Sequence, residues 1–142
     1  MSDVTTSPVP GWFKPVAILA VIWNVFGVLV YLSSTGLFGD PTAGLSETDR
    51  AAHAAIPAWA MGAFAIGAFS GLGGSVGLML RKAWSKPVLI LSMIALLLFE
   101  GWIVFGSGAV ETFGLGIPIT VSICAVLLAW VAAKAHRSGW LA

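Results

Sequence analysis

The amino-acid sequence predicts an all-α protein, a four-helix transmembrane bundle with up-down-up-down topology and a short helix between its first two spans. Three features of the sequence support this prediction. Of the 142 residues, 58% are hydrophobic and 9% are charged, whereas a soluble domain carries about a quarter charged residues. Four stretches each supply the run of about 20 apolar residues that a helix needs to cross a bilayer. The basic residues flank these stretches almost entirely on one side of the membrane.

The spans belong to a single integral membrane domain over residues 1–142. They are predicted at residues 15–34, 57–80, 87–106 and 115–135. Each span has a proline in or near its first turn: Pro15, Pro57, Pro87 and Pro118. Proline is tolerated there because the first N–H groups of a helix have no partner within the helix. The first span is too long for an ordinary signal-peptide core and three more follow it, so we expect it to be retained.

The charged residues indicate how the spans are oriented. Six basic residues share one side: Lys14, Arg81, Lys82, Lys86, Lys134 and Arg137. Only Arg50 falls on the other side, together with most of the acidic residues. Because basic residues are retained on the cytoplasmic side, we expect both termini and the turn between spans two and three to be cytoplasmic. Four tryptophans are expected to anchor helices at the interfaces: Trp12, Trp84 and Trp140 inside and Trp59 outside.

The long outer loop between spans one and two contains the signal for a short helix. Ser46 followed by Asp49 resembles a capping box, in which a side chain accepts a hydrogen bond from the third helical N–H group. The predicted helix runs through residues 50–55 and stops before Pro57. Its alanine-rich, weakly amphipathic character suits the outer interface or the mouth of the bundle.

Glu100 is the ionisable residue within a predicted span. A charge at mid-span costs about 2.5–3.5 kcal/mol on insertion scales, so we expect this carboxyl group to face the bundle interior or a wet cavity. Matching depths predict an intramembrane polar cluster of Asn24, Tyr31, Glu100 and Thr120. Two interpretations remain open: a proton-exchanging or cation-binding carboxylate, or a hydrogen-bonded group that holds the helices together.

Small residues repeat at every fourth position of span two. They form a predicted helix-packing face of Ala63, Gly67, Gly71 and Ser75. Such spacing lets helix backbones approach closely in a membrane, where no hydrophobic force drives helices together. We expect part of this face to pack within the bundle and the rest to support a homodimer or contact another subunit.

The sequence lacks the residues that several kinds of site require. His53 and His136 are expected on opposite sides of the membrane, so they cannot share a haem or a metal ion. The single cysteine, Cys124, excludes an intramolecular disulfide and any multi-cysteine metal site. No catalytic triad or paired-carboxylate motif occurs, and a net charge of +1 argues against nucleic acid. We therefore predict no enzyme activity, no metal site and no cofactor.

Short segments throughout the chain carry a family resemblance. They are Trp23-Asn24 with Gly27 and Tyr31, Leu45-Ser46-Glu47, Ile56-Pro57-Ala58-Trp59, Arg81-Lys82-Ala83-Trp84 and Arg137-Ser138-Gly139-Trp140-Leu141. Together they resemble a group of small four-span proteobacterial inner-membrane proteins that often bear the loose label "sugar transporter". The resemblance implies a multi-pass protein of the bacterial inner membrane with its short helix in the periplasm. It implies no sugar substrate, because no residue here supports sugar recognition.

Two functions are compatible with these features. The first is a small inner-membrane protein that acts by association, as an accessory subunit or a homo-oligomer, with the glycine face of span two as its contact surface. Its partners are then the lipid bilayer and a second copy or another membrane protein. The alternative is a small proton- or cation-coupled transporter in which Glu100 is the exchanging group. The sequence leaves open whether a lipid, quinone or pigment fills a groove between protomers.

Overall fold

The computed structural model describes residues 7–108 and 110–142. Within this part the chain forms six helices and no strand: α1 (Phe13–Ser34), α2 (Glu47–Ala54), α3 (Ala58–Met79), α4 (Ser85–Phe105), α5 (Val110–Phe113) and α6 (Gly116–Arg137). The helices α1, α3, α4 and α6 are long and apolar enough to cross a membrane. The predicted all-α bundle of four spans is therefore confirmed, and the protein is a small polytopic membrane protein. The single-turn helix α5 was not predicted.

The outer loop is ordered by local hydrogen bonds around α2. The Asp40 carboxylate accepts bonds from the hydroxyl group and the backbone N–H of Thr42, at 2.6 and 2.8 Å. These bonds stabilise the charged form and hold the pKa of this exposed carboxyl below its usual range. The Ser46 hydroxyl accepts from the Asp49 N–H at 3.1 Å. The predicted cap at Ser46 is thus present, and α2 begins at Glu47, three residues before the predicted range, and ends at Ala54.

The four long helices pack as a row rather than as a closed square. α3 makes its most extensive contact with α4, α1 packs on the other side of α3, and α6 packs on α4. The first and last members of this row, α1 and α6, meet through side chains at the end of the bundle that carries Phe13 and Trp140, which we name the inner end; the end that carries α2 is named the outer end. At the inner end they share a core cluster of Phe13, Ala17, Leu78, Leu89, Val131, Ala132, Ala135 and Trp140. Three alanines of this cluster, Ala17 on α1 and Ala132 and Ala135 on α6, define the alanine junction between the two helices.

The small-residue face of α3 is buried inside the chain. A Cβ atom at Gly67 would lie 2.6 Å from the Leu96 side chain, and one at Gly71 would overlap the Asn24 amide oxygen. Ser75 is also fully enclosed, whereas Ala63 is half-buried. Gly67, Gly71 and Ser75 therefore pack within the bundle, where the two glycines allow α4 and α1 to approach α3 closely. Contact of the remaining part of this face, at Ala63, with another subunit stays a prediction.

A short segment beyond α6 closes the inner end. The Trp140 side chain is only 6% exposed and packs edge-on against Phe13 and Trp12, with ring centroids 5.7 and 5.8 Å apart. Backbone bonds join Ala142 to Arg81 and Ala83 in the α3–α4 turn, at 2.7 and 2.8 Å. Trp140 therefore belongs to the core, and its predicted role as an interfacial anchor is wrong.

Candidate ligand cavity

A cavity of about 620 Å³ lies between α1 and α6 in the outer half of the bundle. The alanine junction joins α1 and α6 at the inner end. Nearer the outer end, the side chains of the two helices do not fill the space between them. α3 and α4 form the back wall, and residues of the outer loop and α2 form the roof. The exposed side chains of Phe26 and Ile117 stand at the rim. The volume lies within the range of about 300–1,000 Å³ that is typical of ligand pockets.

The lining of this cavity is strongly apolar. Five aromatic side chains contribute to it: Trp23, Phe26, Phe64, Phe99 and Trp102. Among the described lining residues, polar side chains come from Asn24, His53 and Thr120, and none carries a lysine, arginine, aspartate or glutamate charge. A site with this lining favours a lipophilic occupant over water, because water needs several polar partners to enter a cavity.

His53 is the polar group of the roof. It lies on α2 with Ala52, and both residues line the cavity together with Ile56. Its Nε2 atom is enclosed and has no hydrogen-bond partner in the part of the chain described. A buried polar atom left unsatisfied costs about 1–3 kcal/mol. The enclosed Nε2 atom is therefore an unsatisfied polar group in the wall of the cavity. From the sequence, His53 was considered only in excluding a haem or metal site shared with His136, and its place in the cavity lining was not predicted.

Asn24 lies at the base of the cavity and ties α1 to α3. Its amide Nδ2 donates to the Ala20 carbonyl at 2.8 Å and to the Ser75 hydroxyl at 2.9 Å. Ser75 in turn donates to the Gly71 carbonyl at 2.7 Å. Hydrogen bonds between membrane helices are worth about 0.6 kcal/mol on average. The role of Asn24 within the chain is thus to hold two helices together.

The four residues of the predicted polar cluster are not joined to one another. Asn24 and Thr120 line the same cavity, but Thr120 donates to the Gly116 carbonyl at 2.8 Å. Tyr31 packs edge-on against Phe64 and Phe69. The predicted single cluster is therefore wrong, because Asn24 turns toward α3 whereas Glu100 turns toward α6.

Glu100 lies in a separate groove between α4 and α6. Gly101, Pro118 and Ser122 also line this groove, and most of the remaining lining is aliphatic. The residue is 7% exposed. Its carboxyl group has no hydrogen-bond or ion-pair partner among the described residues. The groove is open, so a group from outside the described residues can reach this carboxyl.

Metal-ligating side chains do not converge in this part of the molecule. Within residues 7–108 and 110–142 no group of three or more His, Cys, Asp or Glu side chains is placed to hold an ion. Cys124 is half-buried on α6 and reduced. Comparison of the chain with known protein families, curated proteins and solved structures gave no match.

Proposed function

We propose that this membrane protein acts by association rather than by catalysis, and that its principal associate is a lipophilic molecule held between α1 and α6. The observation that carries the proposal is the apolar cavity of about 620 Å³ between these two helices. Membrane ligands reach such a site sideways through the bilayer, between two helices that do not pack on each other at that depth. The rim residues Phe26 and Ile117 line this approach.

The proposal places the cavity in the outer leaflet of a bacterial inner membrane. The basic residues of the α3–α4 turn, Arg81, Lys82 and Lys86, lie at the opposite end of the bundle from α2. The positive-inside rule then favours a cytoplasmic α3–α4 turn and termini, with α2 in the periplasm.

Filling the cavity is expected to prevent binding. A Cβ atom added at Gly27 would meet nothing within 4 Å, and this residue lines the cavity. The first carbon of a phenylalanine side chain therefore fits at this position, and Gly27→Phe is expected to place its ring in the cavity. After mild detergent extraction, native mass spectrometry is expected to find wild-type protein with one bound lipophilic molecule and the Gly27→Phe variant without it.

Gly73→Phe is the matched control for this experiment. Gly73 is also in the middle of a spanning helix, its added Cβ would also meet nothing within 4 Å, and it does not line the cavity. This variant is expected to keep the bound molecule. Loss of the molecule from both variants, or its absence from wild-type protein, would overturn the proposed function.

Glu100 favours a second candidate function, association with a second copy or with another membrane protein as an accessory subunit. A buried carboxyl group is costly in a bilayer unless something pairs with it. A polar group of another subunit would satisfy Glu100 in the groove between α4 and α6. A proton or a cation would do the same, which is the arrangement that the transporter alternative requires.

Two substitutions at Glu100 separate these possibilities. Glu100→Leu is expected to leave the bundle folded, because it removes an unpaired polar group, and to abolish co-purification of a tagged second copy or a larger complex. Glu100→Gln retains hydrogen-bonding groups and is expected to preserve that complex. If wild-type proteoliposomes take up protons under an imposed membrane potential and Glu100→Gln stops the uptake, the protein is a transporter and association is the wrong function.

A further inference from the structure

We infer that the groove between α4 and α6 is the contact surface of a symmetric dimer, in which Glu100 of each copy accepts a hydrogen bond from Ser122 of the other. This inference rests on the second candidate function, association through Glu100, and names a second copy of this chain as the partner. The surface differs from that of the ligand cavity. Both α4 and α6 contribute to the two sites, but their linings share no residue.

The groove contains two polar groups that make no hydrogen bond. Glu100 on α4 and Ser122 on α6 both line it, and neither has a partner among the described residues. Ser75 and Ser92, by contrast, each donate to a helix carbonyl, at 2.7 Å in both cases. A carboxylate accepts and a hydroxyl group donates, so the groove contains one unused acceptor and one unused donor.

Both groups can be reached from outside the chain. In the described part of the chain, the unpartnered side-chain polar atoms that are enclosed belong to His53, Ser85 and Trp140. The Glu100 carboxyl and the Ser122 hydroxyl are therefore unpartnered without being enclosed. Beside them, a Cβ atom added at Gly101 would meet nothing within 4 Å. A glycine at this point lets a helix of another chain approach closely.

The depths of the two groups match. Glu100 lies five residues before the outer end of α4, and Ser122 lies six residues after the start of α6. At 1.5 Å per residue these positions are about 8 and 9 Å below the outer ends of their helices. Two copies insert with the same orientation, so a two-fold axis between them runs along the membrane normal and preserves depth. Such an interface places each residue against its counterpart twice, and Glu100 of either copy then opposes Ser122 of the other.

A second copy satisfies this groove better than lipid does. Acyl chains pack against its aliphatic lining, but they offer no donor to a carboxyl group. A carboxyl group without a partner is costly within the membrane. The dimer satisfies the carboxyl and the hydroxyl of both copies with the same pair of bonds.

The inference is tested with two full-length variants, Glu100→Leu and Ser122→Ala, carrying different fluorescent labels in detergent. Each variant alone loses both bonds. Its dissociation constant, measured by Förster transfer, is expected to rise about tenfold over wild type, because each bond between membrane helices supplies a factor of about three. A mixed dimer of the two variants keeps one bond and leaves no polar group unpaired. In the mixture it is therefore expected to exceed the proportion that random pairing gives.

Ser70→Ala is the matched control. Ser70 is a partly buried serine on α3 that donates to the Ile66 carbonyl and does not line the groove, so this variant is expected to self-associate as wild type does. Random pairing in the mixture, or wild-type affinity in Ser122→Ala, would overturn the inference.

Two results with wild-type protein would also overturn the inference. They are a monomer, and a complex that contains only a different membrane protein; the second result leaves association through Glu100 standing. The cavity is tested separately by loss of its bound molecule from Gly27→Phe, so failure of the dimer and failure of ligand binding are distinguishable.

Discussion

Gly71→Leu is expected to lower the free energy of unfolding by about 3 kcal/mol. A side chain at this position would overlap the Asn24 amide oxygen, and its Cβ would lie 2.9 Å from the Ser92 hydroxyl. Added carbons in a packed interior cost about 1–3 kcal/mol and sometimes more. Displacement of Asn24 also breaks its hydrogen bond to Ser75. The measurement is unfolding in detergent with a denaturing-detergent titration followed by circular dichroism.

Gly73→Leu is the matched control for the substitution at Gly71. It is two residues away on the same helix, and an added Cβ would meet nothing within 4 Å. Replacing a glycine inside a helix gains up to about 1 kcal/mol in helix propensity, so this variant is expected to be as stable as wild type or more stable. Equal stability of the two variants would contradict the packing of α3 described above.

Trp140→Ala is expected to lower the free energy of unfolding by about 3 kcal/mol, the lower end of the usual cost of truncating a buried aromatic residue. The substitution leaves a cavity between Phe13 and the end of α6 and removes two edge-on aromatic contacts. It leaves the Arg81 guanidinium bond to the Trp140 carbonyl possible, because that bond reaches the backbone. The same denaturing-detergent titration measures the effect.

Trp130→Ala provides the comparison, because Trp130 is 52% exposed on the lipid-facing side of α6. It is expected to change stability much less than Trp140→Ala does. If the two alanine variants unfold at the same denaturant concentration, Trp140 does not close the inner end of the bundle and its role would be that of an interfacial anchor.

The features predicted correctly from the sequence depend on local chemistry. The spanning helices follow from uninterrupted apolar runs, whose bounds differ from those observed by a few residues. The start of α2 follows from Ser46, because a capping hydroxyl acts on an N–H group only three residues away. Neither inference needs any knowledge of which helices become neighbours.

The features that were not predicted depend on the rotation of each helix about its own axis, which decides the neighbour that each side chain faces. Depth along a span placed Asn24 and Glu100 at comparable levels, but depth says nothing about rotation about the helix axis. Asn24 faces Ser75, whereas Glu100 faces α6. The fourfold spacing in α3 has the same limit, because it identifies a close-packing face without saying whether its partner belongs to the same chain.

The cavity could not be predicted from the sequence for a different reason. It arises where α1 and α6 fail to meet, and its lining comes from the outer loop, α2 and all four spans. A gap between two helices produces no periodic pattern of residues in either helix, so it cannot be recognised from one segment of the sequence. The weak signal available was His53 beside Ala52 on a short helix already expected at the mouth of the bundle.

The alanine junction at the inner end has a mechanical consequence for the helices that flank the gap. Ala17 on α1 and Ala132 on α6 belong to one core cluster, whereas the cavity separates the same two helices nearer the outer end. Phe26 lies nine residues from Ala17, which is about 14 Å along α1. A tilt of α1 about its inner end would therefore move Phe26 further than Ala17 and would change the width of the opening between the two helices.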